Sequence, residues 1–265
     1  MYPILIEVGP FVLSSWHALY LLGSFAAWLY LHTNRQWIFS ELSPHQVDLT
    51  FGVGYVSGYF GARLFSILIE EEFTQPGFRW LQAIFDLGSM TLYGGVLCAV
   101  TALVLYALWC RLSILGLADL CLPATLLAVG FGRIGCFLNG DDYGLPLSLR
   151  SQMNPPWWAM RIEGLQDGLY RYPVQLFESI FCWGIVGVLF LFGRKKSFPR
   201  GRSADVCVFA YTLGRFSLEF MRGDDRGILF SPFLSPAQWV SLGLIFIWTS
   251  FRCLGGRESG NSPSS

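Results

Sequence analysis

Three stretches of this chain run for more than twenty residues without a formal charge: between Glu7 and Arg35, between Asp86 and Arg111, and between Arg226 and Arg252. Roughly 20 apolar residues carry an α-helix across the hydrocarbon of a bilayer. Inside hydrocarbon only a helix or a closed barrel satisfies its own backbone. Four weaker apolar runs, near residues 47–69, 114–138, 173–193 and 203–221, are each interrupted by at least one charge. The pattern predicts an all-α integral membrane protein of about seven transmembrane helices. Composition agrees, with 53% of the 265 residues hydrophobic and only 14% charged, against about a quarter charged in soluble domains. A net charge of zero offers no general attraction to nucleic acid. The N-terminal "MYPILIEVGP" lacks a basic segment, so the first span is expected to be retained rather than cleaved as a signal peptide.

Loop charges give the orientation. Arg35, Arg111, the cluster Arg194, Lys195, Lys196, Arg200 and Arg202, then Arg252 and Arg257 fall on one side. Glu70, Glu71, Glu72, Asp141, Asp142, Glu163, Asp167, Asp224 and Asp225 fall on the other, beside fewer arginines. The basic side is expected in the cytoplasm, which puts the N-terminus outside (periplasmic) and the C-terminus inside, as an odd number of spans requires. Residues 1–257 read as one multi-span membrane domain with an external segment at about 140–172. Residues 258–265 read as a short disordered cytoplasmic tail. In the external segment, "MNPPWWAM" sets tryptophans beside prolines, which suits a membrane–water interface. The seven cysteines are scattered without zinc or disulfide spacing and read as small buried residues. No metal and no cofactor is expected.

Six ionisable residues fall within or at the ends of predicted spans: Arg63, Asp119, Arg133, Glu178, Arg215 and Glu219. A charge at the bilayer centre costs from about 2.5 to more than 10 kcal/mol. Such groups must therefore face the bundle interior, pair with one another, or bind something charged. Arg215 and Glu219, four apart on one helix, suit an internal ion pair. Asp119, near the inner end of its span, suits contact with water. Gly54, Gly58 and Ala62 line one helix face beside Arg63 and let another helix approach closely. Arg133 stands in "GFGRIGCFLNGDDYG" (130–144), where Gly130, Gly132 and Gly135 are expected to leave room beside its guanidinium. A guanidinium holds a phosphate through two hydrogen bonds at once, and a phospholipid brings a phosphate and an apolar body to that depth. The match of "GFGRIG" to G-x-G-x-x-G is rejected as a dinucleotide site, because no βαβ unit surrounds it.

These segments together resemble the prolipoprotein diacylglyceryl transferases of bacterial inner membranes. "GRIGCFLNGDDYG" (132–144) is similar to the family's G-R-x-G-N-F-x-N-G-E-x-x-G, and "SMTLYGG" (89–95) to G-M-S-F-H-G-G. "YPVQLFES" (172–179) is similar to H-P-S-Q-L-Y-E, "GRFSLEFMRGDDRG" (214–227) to a late helix carrying an arginine and E-F-x-R, and "YFGARLF" (59–65) to a G-G-R segment. The resemblance implies a multi-pass inner-membrane enzyme of seven helices. Its partners would be phosphatidylglycerol, membrane lipid and prolipoprotein signal peptides with a lipobox cysteine, whose thiol receives the diacylglyceryl group. By the same resemblance Arg133 and Arg215 hold the phosphate, Asn139, Gly140 and Gly144 shape the outer rim, Glu178 orients its neighbours, and Arg63 supports the arginine pair.

Where the family has two histidines this chain has Tyr93 and Tyr172; Cys136 replaces an asparagine, Asp141 a glutamate and Trp16 a first-span tyrosine. Tyrosine, with a reference pKa of about 10 against about 6.5 for histidine, is a poorer resting base. The thiol proton then has several candidate acceptors: Tyr93 as phenolate, His17, water or the departing phosphate. Cys136 is either an asparagine-sized structural replacement or an activated thiol. Two further functions stay open at this level. One is a divergent member that binds or modifies phospholipid without lipidating prolipoproteins, and the other is a small anion transporter.

Overall fold

The computed structural model describes residues 4–8, 11–40, 42–69, 74, 79–85, 90–193, 199–224 and 233–258. Glu70, Glu71, Glu72, Asp86, Ser89, Arg194, Lys195, Lys196, Asp225, Arg226, the tail 259–265 and the side chains of Glu163 and Arg257 lie outside the described residues. Two compact units form, one from residues 1–30 and 121–265, the other from residues 31–120.

Seven helices of 18 residues or more stand among the described residues: α1 (Ser15–Ile38), α2 (Pro44–Ile69), α4 (Leu92–Trp109), α5 (Ile114–Asn139), α7 (Val174–Gly193), α8 (Arg202–Glu219) and α9 (Pro236–Glu258). Two short helices, α3 (Trp80–Phe85) and α6 (Leu149–Met153), lie between them. Five of the long helices, α2, α4, α5, α7 and α9, are long and apolar enough to cross a membrane. α8 falls short because Arg202, Asp205, Arg215 and Glu219 share its 18 residues. α1 is nearly free of charge, yet His17, His32, Asn34, Arg35 and Gln36 dilute its apolar character. A charge-free stretch is therefore a weaker criterion than an apolar one.

The first predicted span also begins differently. Strands β1 (Ile4–Val8) and β2 (Phe11–Ser14) pair antiparallel, with Glu7 opposite Val12. β-branched and aromatic residues flank Gly9 and Pro10, a turn signal that competes with helix. A second, minimal pair joins β3 (Met160–Arg161) to β4 (Tyr170–Arg171). The described residues are thus mainly helical, with two small antiparallel strand pairs.

In the first unit, small residues set the helix spacing. A Cβ on Gly23 would meet the Ala128 carbonyl and Phe131 at 3.0 Å, and one on Gly135 would meet Trp16 at 3.1 Å, so α1 packs directly on α5. Gly130 takes the Trp183 indole from α7, and the Ser179 hydroxyl donates to the Gly130 carbonyl at 2.8 Å. Near the start of α8, Asp205 accepts from the Trp248 indole at 2.8 Å and from Arg252 at 3.1 Å, joining α8 to α9.

In the second unit α2 and α4 cross backbone to backbone. Gly58 faces Ala99 and the Gly95 carbonyl, while Gly61 and Gly94 face each other's carbonyls. The stripe expected from Gly54, Gly58 and Ala62 is therefore a helix seam, and the two glycines of "YGG" supply its other half. Arg63 is 2% exposed, and its Nε donates to the Ala83 carbonyl of α3 at 2.7 Å. Asp119 is buried rather than open to water.

Large apolar side chains face outward along the long helices, including Leu21, Phe25, Leu97, Leu105, Leu108, Ile180 and Leu191. A water-soluble monomer rarely exposes so many large apolar side chains along its helices; lipid tails accept them.

Candidate active site

The site is built from the end of α5. Gly140 adopts φ 89°, and the Gly140 and Asp141 amides both donate to the Cys136 carbonyl, at 2.9 and 3.0 Å. This left-handed helix stop, for which glycine is the natural residue, folds the chain back, so that Asp142 meets Arg133 on the last turns of the same helix. The following residues zip onto the end of α8: the Leu145 amide donates to Met221 (2.8 Å), the Gly223 amide to Tyr143 (2.9 Å), and Gly144 bridges Arg222. A side chain at Gly144 would strike the Tyr172 carbonyl and Val174. From α7, the buried Gln175 donates to the Asp141 carbonyl at 2.6 Å. Each motif residue thus fixes the loop that carries Asp142 beside Arg222.

α8 and the turn after it present Tyr211, Arg215, Glu219 and Arg222 at spacings of four, four and three, one face of a helix. Three arginines and three carboxylates then alternate in a closed ring. Arg133 Nη1 donates to Asp142 Oδ2 at 2.6 Å, and Arg133 Nε lies 3.0 Å from Glu178 Oε2. Glu178 Oε1 lies 3.8 Å from Arg215 Nε, and Arg215 Nη1 donates to Glu219 Oε2 at 2.5 Å. Arg222 Nε is 4.0 Å from the same Glu219 oxygen, and Arg222 Nη2 closes the circuit on Asp142 Oδ1 at 2.6 Å. Tyr211 donates its hydroxyl to Glu178 Oε1 at 3.1 Å. Glu178 is fully enclosed, whereas the Asp142 side chain is 28% exposed.

Outside the ring, Asp224 accepts from Arg222 Nε at 3.0 Å and Nη2 at 3.1 Å. Burial holds its carboxyl above the ordinary range even though Arg222 opposes the shift. An apolar furrow of about 530 Å³ runs along α7 and α8, lined by Phe177, Phe181, Ala210, Leu213, Gly214, Ser217 and Leu218.

The ring brings Arg133, Arg215 and Glu178 together. The Arg215–Glu219 pair expected from their spacing is one link in a longer circuit. The exposed Asn139 donates its amide to the Asp141 carboxylate, while Gly140 and Gly144 frame the turn. Tyr93 is 43% exposed on α4 and belongs, with Arg63, to the second unit. The His17 imidazole Nδ1 lies 2.6 Å from the Ser14 hydroxyl. Of the glycines expected to make room beside Arg133, Gly130 and Gly135 are occupied by Trp183 and Trp16, and only Gly132 faces open space. In the "PPWW" segment the two tryptophans divide: Trp157 is 95% exposed, while Trp158 stacks on Tyr172 at 5.7 Å. Sequence reasoning missed Arg222 and Asp142 as ring members and Tyr211 as the donor to Glu178. The signal for Arg222 lay in its place three after Glu219 and seven after Arg215.

With charges balanced three against three, an external anion enters this ring only where a carboxylate yields. The guanidinium forks suit a tetrahedral oxyanion held by more than one arginine.

The family model "Prolipoprotein diacylglyceryl transferase" matches residues 3–253. Among its relatives, a Clostridium tetani protein is 30% identical over 93% of this chain and 95% of its own length. A Pseudoalteromonas translucida protein is 31% identical over 92% of this chain and 88% of its own. A Streptococcus uberis protein is 29% identical over 97% and 96%. Each is named phosphatidylglycerol–prolipoprotein diacylglyceryl transferase. The match extends from the first hairpin into α9 and takes in every residue of the arginine ring, so the chain belongs to the prolipoprotein diacylglyceryl transferase family.

Proposed function

We propose that this protein transfers the diacylglyceryl group of phosphatidylglycerol to the lipobox cysteine thiol of prolipoproteins in the bacterial cytoplasmic membrane. The observation that carries this reading is the buried ring in which Arg133 and Arg215 share Glu178. In the reaction the cysteine sulfur attacks the glyceryl carbon that bears the phosphate. A C–S bond forms as the C–O bond to phosphate breaks, glycerol phosphate departs, and the thiol proton is released. The leaving phosphate gains a negative charge, and arginine forks already fixed in place stabilise it without reorganising. The furrow on α7 and α8 supports the reading by offering apolar surface beside the charged ring. Seven helices span the bilayer, with the N-terminus outside and the basic loops in the cytoplasm.

Tyr93 is assigned the thiol proton on its motif position alone. An unchanged rate in Tyr93→Phe overturns that assignment and leaves His17, water or the departing phosphate as acceptor. The whole reading is tested in a bacterium depleted of its own transferase, by following the mass of a lipobox peptide. Addition of one diacylglyceryl mass supports it; no addition with the protein correctly inserted overturns it.

A further inference from the structure

We propose that Asp142 is an internal stand-in for the substrate phosphate, a carboxylate that fills the anion position at rest and must leave before a phosphate ester binds. The inference rests on the transferase reading for the identity of the ligand. Glu178 and Glu219 belong to helices, with side chains 0% and 4% exposed. Asp142 sits on the turn after α5 at φ 59°, with its side chain 28% exposed. Alone of the three ring acids it reaches water by side-chain rotation. Its two oxygens go one each to Arg133 Nη1 and Arg222 Nη2, both at 2.6 Å, as a phosphate bridges two guanidiniums. When Asp142 swings out, Arg133 keeps Glu178 and Arg222 keeps Asp224, so neither cation is left bare. Arg222 Nη1 is buried and has no hydrogen-bond partner among the described residues. It supplies a donor for a further phosphate oxygen.

Deleting an internal competitor must tighten external binding, whereas deleting a structural brace must weaken it. Asp142→Asn and Asp142→Gly both remove the charge, and both residue types accept a left-handed backbone. The full-length protein and each variant are titrated separately with inorganic phosphate and with phosphatidylglycerol in zwitterionic nanodiscs, and thermal midpoints are recorded alongside. A charge-assisted contact of this kind is worth about tenfold in affinity, so both variants are expected to bind about tenfold more tightly. Tightening in both arms shows that phosphate alone displaces Asp142; tightening only in the lipid arm assigns the competition to the headgroup ester. Unchanged affinity in both arms, or weaker binding with a lowered midpoint, overturns the proposal. Transfer activity is read independently: tighter phosphate binding by the variants of a protein that transfers no lipid upholds the role of Asp142 while the transferase reading falls.

Discussion

Replacing Glu178 with glutamine keeps the side chain's shape and an acceptor for Tyr211 but removes the charge that two arginines share. At an effective dielectric of about 20, the attraction is about 5 kcal/mol across the 3.0 Å to Arg133 and about 4 kcal/mol across the 3.8 Å to Arg215. Desolvation of a fully enclosed carboxylate offsets much of this sum. The net cost of removing one partner from a buried ion pair is about 3–5 kcal/mol, because the remaining charge stays buried. At about 2–4 °C per kcal/mol for a chain of this size, the unfolding midpoint of Glu178→Gln should fall by roughly 10 °C. Intrinsic fluorescence in detergent or nanodiscs reads it easily, since the protein carries ten tryptophans. Tyr211→Phe deletes a single hydrogen bond to the same carboxylate, worth about 1.5–3 kcal/mol, and should cost less. A fall of under about 2 °C for Glu178→Gln, or an equal or larger loss for Tyr211→Phe, would refute the account of the ring as a coupled electrostatic unit.

Three other outcomes are expected. Arg215→Lys keeps a cation but loses the planar fork, and the transfer rate should drop by about 10²–10³, measured by mass addition to a lipobox peptide at saturating lipid. Gly140→Ala forces a side chain into φ 89° and should lower stability by about 1–3 kcal/mol, with Gly140→Asn recovering part of the loss in the same unfolding assay. Asp167 is held below the ordinary carboxylate range by the Leu169 amide and by Arg171. A depressed folded pKa contributes stability above the unfolded value of about 3.9 and loses it as pH falls through the folded one. Proteolysis around the β3–β4 pair should therefore accelerate on acidification below about pH 4, and Asp167→Asn should flatten that dependence.

Charge inside grease was the most legible feature of the sequence. Arg133, Glu178 and Arg215 stand out because hydrocarbon makes an unpaired charge so costly, and the structure joins them in one ring. Asp142 and Arg222 were harder to see, because charges in loops are ordinary. Their meeting depends on the bridge between Gly144 and Arg222, 78 residues apart, which no local pattern encodes. The glycines around Arg133 were misjudged for a related reason. A glycine in a membrane helix makes space, but the sequence does not say whether a ligand or a neighbouring tryptophan fills it. Likewise α8 reads as weakly apolar because one of its faces carries residues of the ring.

The 18 residues of α4 also have a geometric consequence for the surrounding lipid. At 1.5 Å per residue the helix rises about 27 Å, slightly less than the roughly 30 Å of hydrocarbon in an average bilayer. The 26 residues of α2, its seam partner, rise about 39 Å. A span shorter than the hydrocarbon is expected to draw the leaflets together where it faces lipid, and Trp109, 87% exposed at its end, is of the residue type that rests at headgroup level. Thinning of this kind is expected to shorten the distance between either aqueous compartment and the lipid beside this helix.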